Sequence, residues 1–353
     1  MDINELLEET SKRGASDLHL VVGNQPTLRI DGELFPLREK PTLTTEDTER
    51  LIFSILTPEQ KELFLANKEL DFSFATPFAR FRINVYFQRG GMAVAFRLIP
   101  LKIRTIDELN LPQICHTFAS LRQGFILITG PTGHGKSTTL AAIINEINQS
   151  RPCHIVTIED PIEYVYPRGK SIISQREMHL DTHSWEVALR SCLREDPDVV
   201  LIGEMRDYET IAAALTIAET GHLVFATLHT NSAAQTVDRI VDVFPEHAKS
   251  QVQMQFSSTL EGILSERLLP AIEGGRIPAC EVLVATAAVR TTIREGKTHL
   301  IDNIIQTSAE LGMISLEGSL ARLVKAGKIT TIVAENFALR LEELGRLLRG
   351  RKG

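Results

Sequence analysis

Nine consecutive residues, Gly130, Pro131, Thr132, Gly133, His134, Gly135, Lys136, Ser137 and Thr138, spell G-x-x-x-x-G-K-[ST]. Glycines at this spacing let backbone N–H groups curl around phosphate oxygens, and a helix starting at Lys136 adds a favourable dipole. The apolar run GFILIT precedes the motif and the helix-compatible TLAAIINEI follows it, which is the context such a loop needs. Lys136 is then expected to reach the β- and γ-phosphates of a nucleotide, with the Ser137 hydroxyl on Mg²⁺. An accidental Gly-rich turn is the competing explanation, and the flanking strand and helix argue against it.

A second run, DVVLIGEMRD from Asp198 to Asp207, is an apolar strand ending in acid. Enzymes with such a phosphate loop present a carboxylate to metal and water in this way. Gly203 stands where an Asp is usual, and glycine binds no metal. Glu204 is therefore expected to orient or deprotonate an attacking water, with Arg206 organising its loop. The missing carboxylate directs attention to TIEDPIEYV, where Glu159, Asp160 and Glu163 follow another strand. These acids could hold magnesium-bound waters, Glu159 and Glu163 being better placed than Asp160, whose bond to Pro161 also makes a turn. In GHLVFATLHTNSA, His229 ends a strand near where a γ-phosphate would sit, and His222 opens it. A lone histidine is more often structural, so position selects His229 ahead of His222 as a phosphate sensor.

These groups need a scaffold, and 353 residues suffice for about two domains. The chain is 43% hydrophobic and 24% charged, which excludes a disordered or fibrous chain. Its 38 basic and 45 acidic residues leave a net charge of −7, and aromatics are only 6%, so broad nucleic-acid coating or base stacking is disfavoured. Cysteines at 115, 153, 192 and 280 never form a C-x-x-C pair, which argues against zinc or a disulfide framework and fits a reducing cytosol. The opening MDINELLEETSKRG is acidic where a signal peptide is basic, and no run approaches the ~18 apolar residues of a membrane span, so a cytoplasmic protein is expected.

The first hundred residues read as a small α+β region. A helix near 2–13 ends at Gly14, strands follow at Asp17–Val22 and Thr27–Ile30, and Asp31-Gly32 is a hairpin turn. A helical stretch, Thr45 to Leu65, breaks near Pro58, and strands Phe78–Gln88 and Met92–Ile99 close the region. Residues 101–121 read as a linker. Beyond it, continuous apolar runs at Phe125–Thr129, His154–Ile158, Val199–Ile202 and Leu223–Leu228 alternate with helices, the mark of a buried parallel sheet. After Phe244 the pattern is mainly helical, clearest at Leu260–Leu269, Ala287–Arg294 and Leu316–Ala326, with a basic tail at Arg340, Arg346, Arg349, Arg351 and Lys352. A solvated helix end explains that tail better than anion binding.

Taken together, GPTGHGKST, TIEDPIEYV, LIGEMRD and GHLVFATLHT resemble the Walker A, Asp box, Walker B and His box of the secretion-superfamily ATPases. Along nearly its whole length the chain is similar to their pilus-retraction branch, through GASDLHL, ARFRINVYFQR and ALRSCLREDPDVVLIGEMRDYETI. Extension and type II secretion members usually carry a tetracysteine zinc module and a longer N-terminal region, neither of which is seen here. AAVRTTIREGK at 287–297 is similar to the branch's AIRNLIRE motif and departs from it at Thr291 and Thr292, which keeps an accessory retraction paralogue as the alternative.

The resemblance implies a PAS-like domain over 1–100 and, after the 101–121 linker, a RecA-like P-loop domain over 122–353 with a helical C-terminal part. It implies a homohexameric ring with ATP at subunit boundaries, in which one subunit's N-terminal domain packs beside its neighbour's ATPase domain. Arg82 and Arg97 match the family's phosphate-facing arginines, Arg80 more weakly, and a planar guanidinium suits phosphate oxygens. ATP and Mg²⁺ would be the cofactors, with an inner-membrane platform protein and a paralogous retraction ATPase as partners at the inner face of the membrane. A RecA-like nucleic-acid translocase shares the fold, but the sequence offers little of the basic, aromatic groove it needs, and no nucleic-acid partner is expected.

Overall fold

The computed structural model describes residues 1–30, 32–99 and 102–349. Asp31 of the expected hairpin turn, Pro100 and Leu101 at the expected boundary, and Arg351 and Lys352 of the tail lie outside the described residues. The chain divides into two compact units, Met1–Lys102 with Pro161–Val165, and Ile103–Asp160 with Tyr166–Gly353.

In the first unit, helix α1 (Ile3–Lys12) starts at Asp2, whose side chain accepts the Asn4 N–H, and buries Ile3, Leu6 and Leu7. Strands β1 (Asp17–Val21), β2 (Thr27–Ile30) and β3 (Glu33–Pro36) follow. The expected helical stretch is two helices, α2 (Thr45–Phe53) and α3 (Pro58–Asn67), each opened by a threonine capping box. Pro58 occupies the first turn of α3, where its missing N–H costs nothing. Strands β4 (Glu69–Ala75), β5 (Arg80–Gln88) and β6 (Gly91–Ile99) complete an antiparallel sheet ordered β3-β2-β1-β6-β5-β4. Alternation along β5 sends Phe81, Ile83 and Val85 into the core with Leu18, Leu20 and Phe96, so Arg80, Arg82 and Asn84 take the other face.

The second unit starts at Ile103, inside the stretch expected to be a linker. Ile106, Leu111, Cys115 and Phe118 are buried with Ile126, Ile128 and Ile143, so residues 103–121, including α4 (Ile114–Ser120), are packed rather than free. There follow β7 (Gly124–Thr129), α5 (Lys136–Ser150), β8 (His154–Glu159), β9 (Ile172–Glu177), α6 (Trp185–Cys192), β10 (Val199–Ile202), α7 (Tyr208–Glu219), β11 (Leu223–Leu228), α8 (Ala233–Asp242) and α9 (Glu246–Thr259). Next come β12 (Leu260–Pro270), β13 (Arg276–Val284), α10 (Ala287–Arg294), α11 (Ile301–Thr307), α12 (Leu316–Lys325), α13 (Thr331–Phe337) and α14 (Leu341–Arg349). The sheet runs β13-β12-β7-β11-β10-β8-β9, parallel except for the β12–β13 hairpin. β7, β10 and β11 are buried at every residue. The mixed α/β class expected from the sequence is the one adopted.

Residues 260–269 correct the sequence expectation: they form β12, not a helix. A short apolar run is ambiguous between the two, and tertiary context decides. β12 lies between β7 and β13, and Gly262 admits the Phe118 ring where a Cβ would meet it at 2.4 Å. Arg340 corrects another: it is no solvated helix end, but pairs with Asp302 at 2.6 Å and Glu317 at 3.1 Å, tying α14 to α11 and α12. The four cysteines are unpaired, and among the described residues no helix is long and apolar enough to cross a membrane.

Candidate functional site

Residues 130–135 turn the end of β7 into the start of α5. Two of the loop's glycines are required by close approach as well as by positive φ. A Cβ on Gly130 (φ +144°) would sit 2.4 Å from the Glu266 carbonyl oxygen, and one on Gly135 (φ +101°) 2.4 Å from Glu266 Oε1. Lys136 is only 8% exposed, and its Nζ donates to the carbonyls of Gly130 at 2.8 Å and Pro131 at 3.0 Å. Ser137 and Thr138 face the surface partly, in the first turn of α5.

His229, just past β11, links this loop to the strand-end glutamate. Its Nδ1 lies 3.4 Å from both Lys136 Nζ and Thr132 Oγ1, and its Nε2 lies 3.0 Å from Glu204 Oε1. One tautomer satisfies all three contacts: Nδ1 accepts, and Nε2–H donates to the carboxylate. Arg206 grips the same carboxylate from the other side, Nε to Oε1 at 2.7 Å and Nη2 to Oε2 at 2.8 Å. Burial opposes ionisation of Glu204, but the bonds and charge of Arg206, then of His229, outweigh it and hold its pKa below the ordinary glutamate value. The site thus keeps an ionised carboxylate 17% exposed beside a lysine and an imidazole. Parallel pairing of β7, β11 and β10 brings their carboxyl ends together and so assembles Lys136, His229 and Glu204.

His222 is not part of this group. It opens β11 at the opposite end, where its Nδ1 meets the Ile217 carbonyl and Thr220 Oγ1, each at 3.0 Å. Glu159, Asp160 and Glu163, at and after the end of β8, have different surroundings. Glu159 accepts from Thr157 Oγ1 at 2.7 Å and Gln175 Nε2 at 3.2 Å, Asp160 is exposed, and Glu163 belongs to the 161–165 segment that groups with the first unit. Among the described residues no three His, Cys, Asp or Glu side chains gather as a metal-holding group. Gly203 has a packing reason: its N–H donates to the Ile158 carbonyl, and a Cβ there would lie 3.2 Å from Glu159 Cα and 3.6 Å from the Trp185 ring.

The β12–β13 hairpin supplies residues that sequence reasoning missed. Glu266, 2% exposed, accepts the Thr139 hydroxyl at 2.7 Å, and burial pushes its carboxyl up to about 7. The Leu268 N–H donates to His134 Nδ1 at 3.0 Å, while burial first, then Arg267 and Arg276, lower the His134 pKa. Arg276 donates to the Gly133 carbonyl at 3.2 Å. Between this hairpin and α5 lies a cavity of about 250 Å³, lined in part by Arg104, Leu111, Thr138, Glu266, Leu268 and Arg276. The two charged residues Glu266 and Arg267 within the run SERLLP are the available signal. Taking the run as a helix hid its position beside the loop.

In the first unit, Arg82 on β5 and Arg97 on β6 are direct cross-strand partners. Arg97 Nε lies 3.0 Å from Asp17 Oδ1, whereas Arg82 has no hydrogen-bond or ion-pair partner among the described residues. Arg80 donates to Ser73 Oγ at 2.6 Å. On α10, Thr292 is buried and the Thr291 hydroxyl accepts from Arg294 at 3.0 Å.

The model of the type II/IV secretion system protein family matches residues 1–323. The type IV pilus retraction ATPase PilT of Pseudomonas aeruginosa is 47% identical over 94% of this chain and 96% of its own length. A twitching motility protein of Neisseria gonorrhoeae is 46% identical over 90% of this chain and 86% of its own, and the Pseudomonas aeruginosa pilus ATPase PilU is 38% identical over 94% and 87%. A crystal structure of the pilus retraction motor PilT with bound ADP superposes with a TM-score of 0.92 at 46% identity, over 98% of this chain and 99% of that one. With the P-loop, the strand-end glutamate and the histidine in place, this chain belongs to the type II/IV secretion system protein family.

Proposed function

We propose that this chain is a motor ATPase that hydrolyses ATP to drive pilus retraction and twitching motility. The observation that carries the reading is the linked set Lys136–His229–Glu204–Arg206 at the mouth of the phosphate loop. Phosphate oxygens would take the place of the Gly130 and Pro131 carbonyls as acceptors for Lys136. Glu204, held ionised, would orient the attacking water and take its proton, and His229 would relay the state of the γ-phosphate to it. The cavity beside Thr138 and Arg276 suits the nucleoside.

Mg²⁺ fits these residues. The partly exposed Ser137 hydroxyl is an oxygen donor at the first turn of α5, and a protein cage is not needed because Mg²⁺ is usually completed by phosphates and water. Bound there, the ion would neutralise phosphate charge, with Glu159 and Glu163 reaching it through water. Arg82 and Arg97 would supply cations to the phosphates, and a homohexamer on a platform protein at the inner face of the membrane is the assembly the family resemblance favours. The departures at Thr291 and Thr292 favour a second reading, an accessory retraction ATPase.

The test is twofold. Purified protein should turn over ATP in a magnesium-dependent manner, and Lys136→Ala should abolish turnover. Deletion in the native host should leave pili present and twitching lost. Absent pili would refute retraction, and wild-type twitching with fewer retraction events under load would favour the accessory role.

A further inference from the structure

Arg82 and Arg97 face each other across β5 and β6, and like charges directly opposite destabilise a sheet. On the other side of Arg97, its direct partner across β1 and β6 is Asp17. The Asp17 residue is 7% exposed, so its carboxylate is fixed rather than solvated. Ser16 Oγ donates to Asp17 Oδ2 at 2.8 Å, and Arg29, its partner on β2, brings Nε to 3.9 Å from the same oxygen. Oδ1 is left for Arg97.

The contact to Arg97 is made in an unusual way. Only Nε is engaged, at 3.0 Å, and the two Nη groups have no partner among the described residues. The Arg97 side chain is 70% exposed, so its fork points into solvent while its elbow is held. An arginine pairing for stability alone would present the fork, because two parallel N–H···O bonds are the stronger arrangement. Holding Nε instead restricts the guanidinium plane and keeps both Nη groups available. Arginine carries large rotamer entropy, part of which is thereby surrendered on folding rather than on ligand contact.

We propose that Asp17 is a positioning residue: it clamps Arg97 by Nε so that the Nη fork stands ready for the phosphate oxygens of the nucleotide. This rests on the reading that Arg97 contacts phosphate, and it assigns the neighbouring strand a part in the chemistry. Arg82, with no such clamp, contributes charge without preset orientation.

The experiment is a double-mutant cycle on ATP turnover by the assembled protein, using Asp17→Ala, Arg97→Ala and the double variant. Asp17→Ala should lower kcat by roughly 10-fold, within the range for coupled neighbours, with KM changed less than about twofold. In the Arg97→Ala background the same change should cost nothing further, because the clamp then has nothing to hold. Asp17→Asn keeps the shape and one acceptor oxygen, so it should retain activity within about threefold and its small loss should also vanish in the Arg97→Ala background. It serves as the cycle partner if the alanine variant does not fold. Full activity of Asp17→Ala alongside a crippled Arg97→Ala would overturn the clamp and leave the phosphate reading intact. Losses that multiply in the double variant would do the same, showing Asp17 to act on stability alone. An Arg97→Ala protein with wild-type turnover would overturn both.

Discussion

Replacing Arg206 with alanine should move the acid limb of the pH–rate profile upward. Arg206 presents Nε and Nη2 to the two oxygens of Glu204 at 2.7 and 2.8 Å. Burial raises the Glu204 pKa, and the arginine is the main influence that overcomes it. Hydrogen bonds between charged groups contribute about 1.5–3 kcal/mol when shielded. The Arg206 side chain is 72% exposed, so solvent screening reduces this to about 1 kcal/mol. Losing that contribution should move the Glu204 carboxyl upward in the variant. A base must be ionised to act, so a raised pKa means activity is lost at higher pH as the solution is acidified. The assay is kcat/KM for ATP from acidic to neutral pH, which reports the groups of the free enzyme. Arg206→Lys, restoring charge without the fork, should fall between. Coincident acid limbs for wild type and Arg206→Ala would refute the reasoning, because Glu204 would then not be the titrating base.

Glu204→Gln should spare nucleotide binding and slow hydrolysis by about 10²-fold or more, checked by nucleotide affinity and single-turnover rate; normal turnover would place the base elsewhere. Gly203→Asp, which would restore a carboxylate near the metal, should instead destabilise the fold by about 1–3 kcal/mol, since a Cβ there lies 3.2 Å from Glu159 Cα and 3.3 Å from the Ile158 carbonyl. Thermal unfolding checks it, and an unchanged Tm contradicts it. Glu266→Gln should gain stability relative to wild type as pH rises from about 5 to 8. The folded carboxyl, raised to about 7, holds a proton that the unfolded chain has released, so wild type loses up to about 3 kcal/mol across that window. Denaturant midpoints of both proteins at the two pH values measure it, and parallel pH dependences count against it.

Much of the nucleotide site is legible in one dimension because its parts lie at the ends of strands that announce themselves. Val199–Ile202 and Leu223–Leu228 are uniformly apolar, and both strands fall within those limits. The first two residues beyond each such strand are placed by the parallel register, which is why Glu204 and His229 are legible in the sequence and meet at 3.0 Å in the fold. What stayed hidden arises from long-range packing. Leu260–Pro270 carries an apolar run compatible with either period, and its pairing with β7, more than a hundred residues earlier, settles the matter. Glu266 was lost with it. β4 was missed although Leu70, Phe72 and Phe74 alternate, while β3 has four exposed residues and no alternation to find. Gly203 reads as a lost ligand, yet the backbone of β8 comes so close that any side chain there is crowded.

The place of Trp185 has a practical consequence. It is the chain's single tryptophan, and its ring rests 3.6 Å from where a Gly203 Cβ would stand, one residue before Glu204. Intrinsic fluorescence excited at the indole therefore has one source, seated against the hydrolytic loop. Emission from unlabelled protein is then a direct optical gauge of that loop, and stopped-flow mixing with nucleotide can time its rearrangement without an attached dye.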